Sequence, residues 1–499
     1  MIVYIIVFII IVPNFVKTNN NPYSLLVPDE KQLLELVYQS RKAHWTSTKA
    51  NKHCLCKCDD NNLYSININE DLLIKSRIKS KRPIEINETD DRQLRNTRMI
   101  ICYYSNWAQY RPDSWVYVPE NIDYSLCTHY VYAFAVLDNV TYQIRSYEWN
   151  DEDLDNGRVS GMYRRFVRQV KRGSGIPLLA VGGWNLGMEA ASRMLSSRNT
   201  RSYFIQSSII LLRKYGFEGL DVDFEYPGNE DRNGTANDKA NFVNLLKEFR
   251  EAVITESKSS GLKELILSAA VAPLSNRADK AYKPTELAKY LDFISVMAYD
   301  IHGSWEDTIG FNAPLLPSIN KTGLNHHWCL RLSIDYWINE QKFPAHKINV
   351  GLANYGRSFT LRTNGGDSIG PGKAGSTTRE PGILSFFEIM NLVKESSKNQ
   401  QSNIFERTFD TEHLVPYITN GVEWIGYDDT TSILLKTEFA KCRKLGGVMF
   451  WTIDLDDFRG DTYDKLGRKH VPYPLINTAM NSIKMPVIPE LCDYFNYRQ

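Results

Sequence analysis

Asp221, Asp223 and Glu225 fall two residues apart in the run Gly216-Phe-Glu-Gly-Leu-Asp-Val-Asp-Phe-Glu-Tyr-Pro-Gly228. Side chains alternate faces along a strand, so the three carboxyls share one side. Leu220, Val222 and Phe224 take the other. Three acids on one face of a buried strand repel one another when ionised, so at least one is held protonated or several share protons. A carboxyl kept protonated near neutral pH is what a general acid requires. A solvated acidic edge strand is disfavoured, because the alternating partners are apolar and Tyr-Pro-Gly closes the run as a loop.

Such a strand needs a scaffold. From Met99 onward, short apolar runs alternate with longer helical patterns, which argues for βα units and a parallel sheet. The predicted strands are 99–105, 128–136, 177–184, 219–225, 265–271, 293–299, 348–355 and 446–453. Helix patterns such as TRSYFIQSSIILLRKY and KANFVNLLKEFREAVI lie between them. Eight strands predict a (β/α)8 TIM barrel over 98–485. The acidic run is its fourth strand, and its acids point into the barrel and up toward the C-terminal mouth. Between strands seven and eight lie about 90 residues, more than one crossover helix needs. A small α+β insert at about 360–435 accounts for them. An open doubly wound sheet is the alternative, but no Gly-rich phosphate loop follows the first strand.

Net charge is +1, so electrostatics favour neither nucleic acid nor an anionic membrane. The chain opens with MIVYIIVFIIIV before Pro13. This apolar core predicts a signal peptide over 1–18, with an uncleaved anchor as the alternative. Residues 19–97 are rich in Asn, Lys, Asp and Ser and read as a poorly ordered or accessory extension. They include one helix-like patch, KQLLELVYQSRKAHW. Residues 486–499 read as a tail. Secretion agrees with sequons at Asn87, Asn139, Asn233 and Asn320. It also agrees with an even count of eight cysteines, which suggests disulfides. Cys54-Leu-Cys-Lys-Cys58 lacks the usual zinc spacing, and no metal is expected.

The acidic run resembles the D-G-x-D-x-D-x-E signature of family 18 glycoside hydrolases, the animal chitinases and their lectin-like relatives. Further segments in the same order carry the resemblance. They are Cys102-Tyr-Tyr-Ser-Asn-Trp107, Tyr132-Ala-Phe134, Gly182-Gly-Trp-Asn185, Val296-Met-Ala-Tyr-Asp300 with His302-Gly-Ser-Trp305, Tyr355-Gly-Arg-Ser-Phe359 and Gly446-Gly-Val-Met-Phe-Trp-Thr-Ile-Asp-Leu-Asp-Asp457. The resemblance implies a secreted monomeric enzyme without a cofactor, acting on chitin or chito-oligosaccharides.

By that resemblance Glu225 protonates the glycosidic oxygen, and the substrate's own N-acetyl oxygen is the nucleophile. Asp223 steers the acetamido group, Asp221 pairs with Asp223, and Tyr299 bonds the acetamido carbonyl. Met297, Asp300, Tyr226 and Tyr355 border the sugar site, with Trp451 as its floor. Trp107, Trp184 and Trp305 stack on flanking sugars, while Asn185 and Glu380 bond sugar hydroxyls or amides. Cys102–Cys127 matches a family disulfide. The partners of Cys54, Cys56, Cys58, Cys329, Cys442 and Cys492 stay open.

Three positions depart from the family pattern. Glu218 stands for the first Asp of the signature, with an expected effect on hydrogen bonds beneath the site. Phe224 stands for a Trp and should face the helices. Ala353-Asn354 stands for a common Pro-Thr pair. The competing function is a chitin-binding lectin on the same fold. Lectin-like relatives usually replace the acid, and here Glu225 is present.

Overall fold

The protein is described from a computed structural model covering residues 31–35, 98–318, 328–362, 367–398, 404–463 and 469–497. The chain divides into two units, 1–91 and 92–499. Of the first, residues 31–35 are described and are helical, inside the predicted patch. The expected signal peptide, Cys54, Cys56, Cys58, Asn87 and Asn320 lie outside the described residues.

The second unit is built on strands β1 (Met99–Ser105), β2 (His129–Leu137), β3 (Ile144–Ser146), β4 (Ile176–Gly182), β5 (Gly219–Asp223), β6 (Ile266–Val271), β7 (Phe293–Val296) and β8 (Ile348–Ala353). An insert supplies β9 (Tyr355–Leu361), β10 (Ser368–Pro371), β11 (Ile383–Ser385), β12 (Glu406–Asp410), β13 (Val415–Thr419) and β14 (Glu423–Gly426), and β15 (Gly447–Trp451) completes the set. Eight strands (β1, β2, β4 to β8 and β15) form a parallel sheet that β1–β2 pairing closes into a barrel. The short β3 pairs antiparallel with β2. All eight barrel strands match predicted strands, and β1 matches residue for residue.

The helices are α1 (Met162–Val170), α2 (Glu189–Leu195), α3 (Arg198–Tyr215), α4 (Asp238–Ser260), α5 (Ser275–Ala281), α6 (Pro284–Tyr290), α7 (Leu330–Asp335), α8 (Phe386–Lys398), α9 (Thr430–Cys442), α10 (Pro474–Ile483) and α11 (Pro489–Tyr497). Local chemistry sets their ends. Ser197 caps α3 by accepting from the Thr200 amide, and Gly216 ends it at φ +83°. Asp429 and Ser432 form a capping box at the start of α9.

Alternation along each strand sorts side chains between the barrel interior and the helical layer. Tyr104 and Tyr132 face outward into a cluster with Tyr163, Phe166 and Phe217. Fully burying such a ring contributes roughly 1.5–3 kcal/mol. Phe224 behaves as expected: it is buried against Phe204 and Phe242, on α3 and α4.

The insert is an antiparallel sheet in the order β10-β9-β14-β13-β12, with β11 on β9 and helix α8 alongside. It starts at Tyr355, just past β8, somewhat earlier than expected. Cys102–Cys127 forms as expected, with Cα atoms 6.1 Å apart. The open cysteine question resolves as Cys442–Cys492, and Cys329 is a buried free thiol. The expected tail therefore carries α11, bonded covalently to α9.

Candidate active site

The site forms where the barrel strands end. At the third barrel strand, Gly182 and Gly183 have φ of +123° and +80°. A Cβ at Gly182 would collide with the Asp223 carbonyl oxygen, and one at Gly183 would come within 2.7 Å of the Phe134 ring. Glycine is required at both for the strand to approach β5 this closely. The Gly183 amide donates to the Asp223 carbonyl at 2.8 Å, and Trp184 follows at the rim.

On β5, Asp221 and Asp223 are 1% and 2% exposed. Tyr103 on β1 reaches across the barrel and donates its hydroxyl to Asp221 Oδ2 at 2.6 Å. Ser268 on β6 donates to Oδ1 at 2.6 Å. Both carboxylate oxygens of Asp221 are thus occupied, and the expected Asp221–Asp223 pair is replaced by these two hydroxyls. Asp223 Oδ1 is buried and without a hydrogen-bond partner. Burial, then the charges of Glu225 and Asp221, hold the Asp223 carboxyl well above the usual range.

Glu225 lies two residues beyond β5, half-buried, where it can meet a ligand. Burial and then Asp300 push its pKa up to about 7, against a hydrogen bond from Tyr226 and the charges of Arg232 and Arg277. Burial also raises Asp221, which its two hydroxyl donors pull the other way. The peptide bonds Ala133–Phe134, Glu225–Tyr226 and Trp451–Thr452 are cis.

Around the acids, the sequence-predicted residues fall into three groups. Asp300, Tyr355, Glu380, Trp107 and Trp451 line a cavity of about 300 Å³. Asp300 accepts from the Tyr355 hydroxyl at 2.6 Å and from Arg357 Nε at 2.8 Å. The Trp451 ring lies 5.4 Å from Tyr103 and 5.6 Å from Phe134. Tyr299 stands 6.1 Å from the Tyr355 ring and close enough to feel Asp223, Asp300 and Glu225.

The second group offers ring faces. Trp107, Trp184 and Trp305 are 42%, 48% and 58% exposed, unusual for indoles. Asn185 is exposed beside Trp184. The third group is buried. Tyr226 lies under the Arg277 guanidinium at 5.7 Å, and Met297 is buried outside the cavity lining.

Glu218 lies at the opposite end of β5 and pairs with Lys171 and Lys263. It makes no hydrogen bond beneath the acids, contrary to the expected effect there. Asn354 donates its Nδ2 to the Thr452 carbonyl at 2.9 Å, tying β8 to the chain after β15. Sequence reasoning missed Tyr103, Ser268 and Arg357. For Tyr103 a signal existed, since alternation in MIICYYS puts Ile101, Tyr103 and Ser105 on the interior face.

Among the described residues, no group of three or more His, Cys, Asp or Glu could hold a metal ion. The arrangement suits proton transfer to a ligand lying over Glu225, with aromatic faces to hold its apolar surfaces.

Comparison with known proteins agrees with this geometry. The model of glycosyl hydrolases family 18 matches residues 99–456. The chain is 34% identical to chitotriosidase-1 of Mus musculus over 392 residues, covering 78% of each protein. It is 38% identical to the oviduct-specific glycoprotein of Ovis aries, covering 77% of this chain and 66% of that one. Human YKL-39, described as a pseudo-chitinase with retained chitooligosaccharide binding, superposes with a TM-score of 0.68 at 32% identity. It covers 78% of this chain and 100% of that one. The chain belongs to glycosyl hydrolase family 18.

Proposed function

We infer that the protein is a chitinase that hydrolyses β-1,4-linked N-acetylglucosamine polymers with retention of configuration. The observation that carries this reading is Glu225, a half-buried carboxyl held protonated up to about pH 7 at the mouth of an aromatic-lined barrel. Glu225 donates its proton to the glycosidic oxygen as the bond from that oxygen to the anomeric carbon breaks. The substrate's N-acetyl oxygen attacks the same carbon and forms an oxazolinium. Water then opens this ring, giving its proton to the Glu225 carboxylate.

Asp223 supports the substrate-assisted route. At 2% exposure it is too deep to act as the second, nucleophilic carboxylate of an ordinary retaining glycosidase. Its carboxyl steers the acetamido group and stabilises the cation that forms. Tyr299 and Asp300 hold that sugar over Trp451, and the exposed tryptophans hold its neighbours. Two disulfides and the sequons at the exposed Asn139 and Asn233 support secretion.

A chitin-binding lectin is the second reading, favoured by the likeness to a pseudo-chitinase and by ring faces that would bind sugar without cleavage. Proton NMR of tetra-N-acetylchitotetraose during hydrolysis tests the proposal. The β-anomer of the product appears first if configuration is retained. Initial α-anomer contradicts the mechanism, and binding without cleavage supports the lectin.

A further inference from the structure

Arg232 lies in the loop between β5 and α4, seven residues past Glu225. Its guanidinium carbon is 3.7 Å from the centroid of the Trp184 ring. Its Nη2 donates to the Trp184 carbonyl, and its own carbonyl accepts from the Met188 amide at 2.9 Å. Its Nε is buried without a hydrogen-bond partner, and among the described residues no carboxylate forms an ion pair with it. The planar cation is held by the indole face and the backbone rather than by an acid.

These contacts join the loop that begins at Glu225 to the loop that carries Trp184. Trp184 stays 48% exposed with the guanidinium stacked on its ring, so part of the indole surface is left open. An exposed Trp otherwise loses rotamer freedom when it grips a ligand. A stacked guanidinium removes that freedom in advance.

We propose that Arg232 is a positioning residue, clamping the Trp184 indole as a ready sugar platform. The inference rests on the chitinase reading. It gives a role to a side chain that touches no reacting atom.

The test compares wild type, Arg232→Ala and Arg232→Lys, each first shown to be folded by its thermal melt. Steady-state rates give kcat and KM. Binding of tetra-N-acetylchitotetraose is measured by calorimetry in a Glu225→Gln background. Arg232→Ala is expected to weaken binding and raise KM roughly two- to fivefold. Its kcat should stay near the wild-type value, a split that a general loss of structure would not give. Arg232→Lys should recover only part of the affinity, since an ammonium has no planar face. Equal or tighter binding by Arg232→Ala would overturn the clamp. If wild type cleaves nothing, the chitinase reading fails, yet the binding comparison still decides the clamp.

Discussion

Glu225 sits between two opposed influences. Burial and Asp300 disfavour its charged form, while Arg232, Arg277 and the Tyr226 hydrogen bond favour it, and the balance leaves it near pH 7. The activity profile should therefore lose kcat/KM on the alkaline side, with a midpoint near 7. A midpoint near 4 or 5 would mean that the acid is not held protonated as described. Stability carries the same sign. The carboxyl's folded pKa lies above its unfolded one, so its contribution is fully present below the unfolded pKa. It is lost as pH rises through the folded value. Glu225→Gln should gain thermal stability relative to wild type between about pH 4.5 and 7, with no further gain above. The acids were legible because period-two spacing is local. Their partners were not, since Tyr103 and Ser268 lie 118 and 47 residues from Asp221 in sequence. Only barrel closure brings them together.

Glycines and strand ends set the geometry at the next scale. Gly182→Ala would force a methyl group into the Asp223 carbonyl at a φ of +123°. A loss of roughly 1–3 kcal/mol in stability is expected, with a fall in kcat, because Asp223 must move. Denaturant unfolding and steady-state rates check both, and wild-type values for each would mean the close approach is dispensable. Strand positions were readable from apolar runs bounded by turns. Their upper ends were less so. The fourth strand was expected to reach Glu225, but its pairing with β6 stops at Val222 and the strand ends at Asp223. Residues beyond that point leave the ladder. The apolar pattern does not mark the change, because Phe224 still packs on α3 and α4.

Across the whole molecule, the barrel is closed by hydrogen bonds between β1 and β2 and fastened at its C-terminal end by Cys442–Cys492. That bridge spans 50 residues, so Cys492→Ser should cost roughly 2–4 kcal/mol, read as a lowered Tm. Activity at low temperature should persist, because neither cysteine approaches the acids. That Cys442 would pair with Cys492 was illegible, since connectivity depends on where α11 docks. The barrel itself was legible from the rhythm of strands and helices, and the insert from an overlong gap. The most direct measurement compares hydrolysis of a fluorogenic N,N′-diacetylchitobioside by wild type and Glu225→Gln, alongside binding of each to chitin beads. Wild type should cleave, and the Gln variant should bind while losing roughly 10²- to 10⁴-fold in rate. Wild type that binds chitin without cleaving, or a Gln variant that cleaves equally well, would contradict the assignment of Glu225 as the catalytic acid.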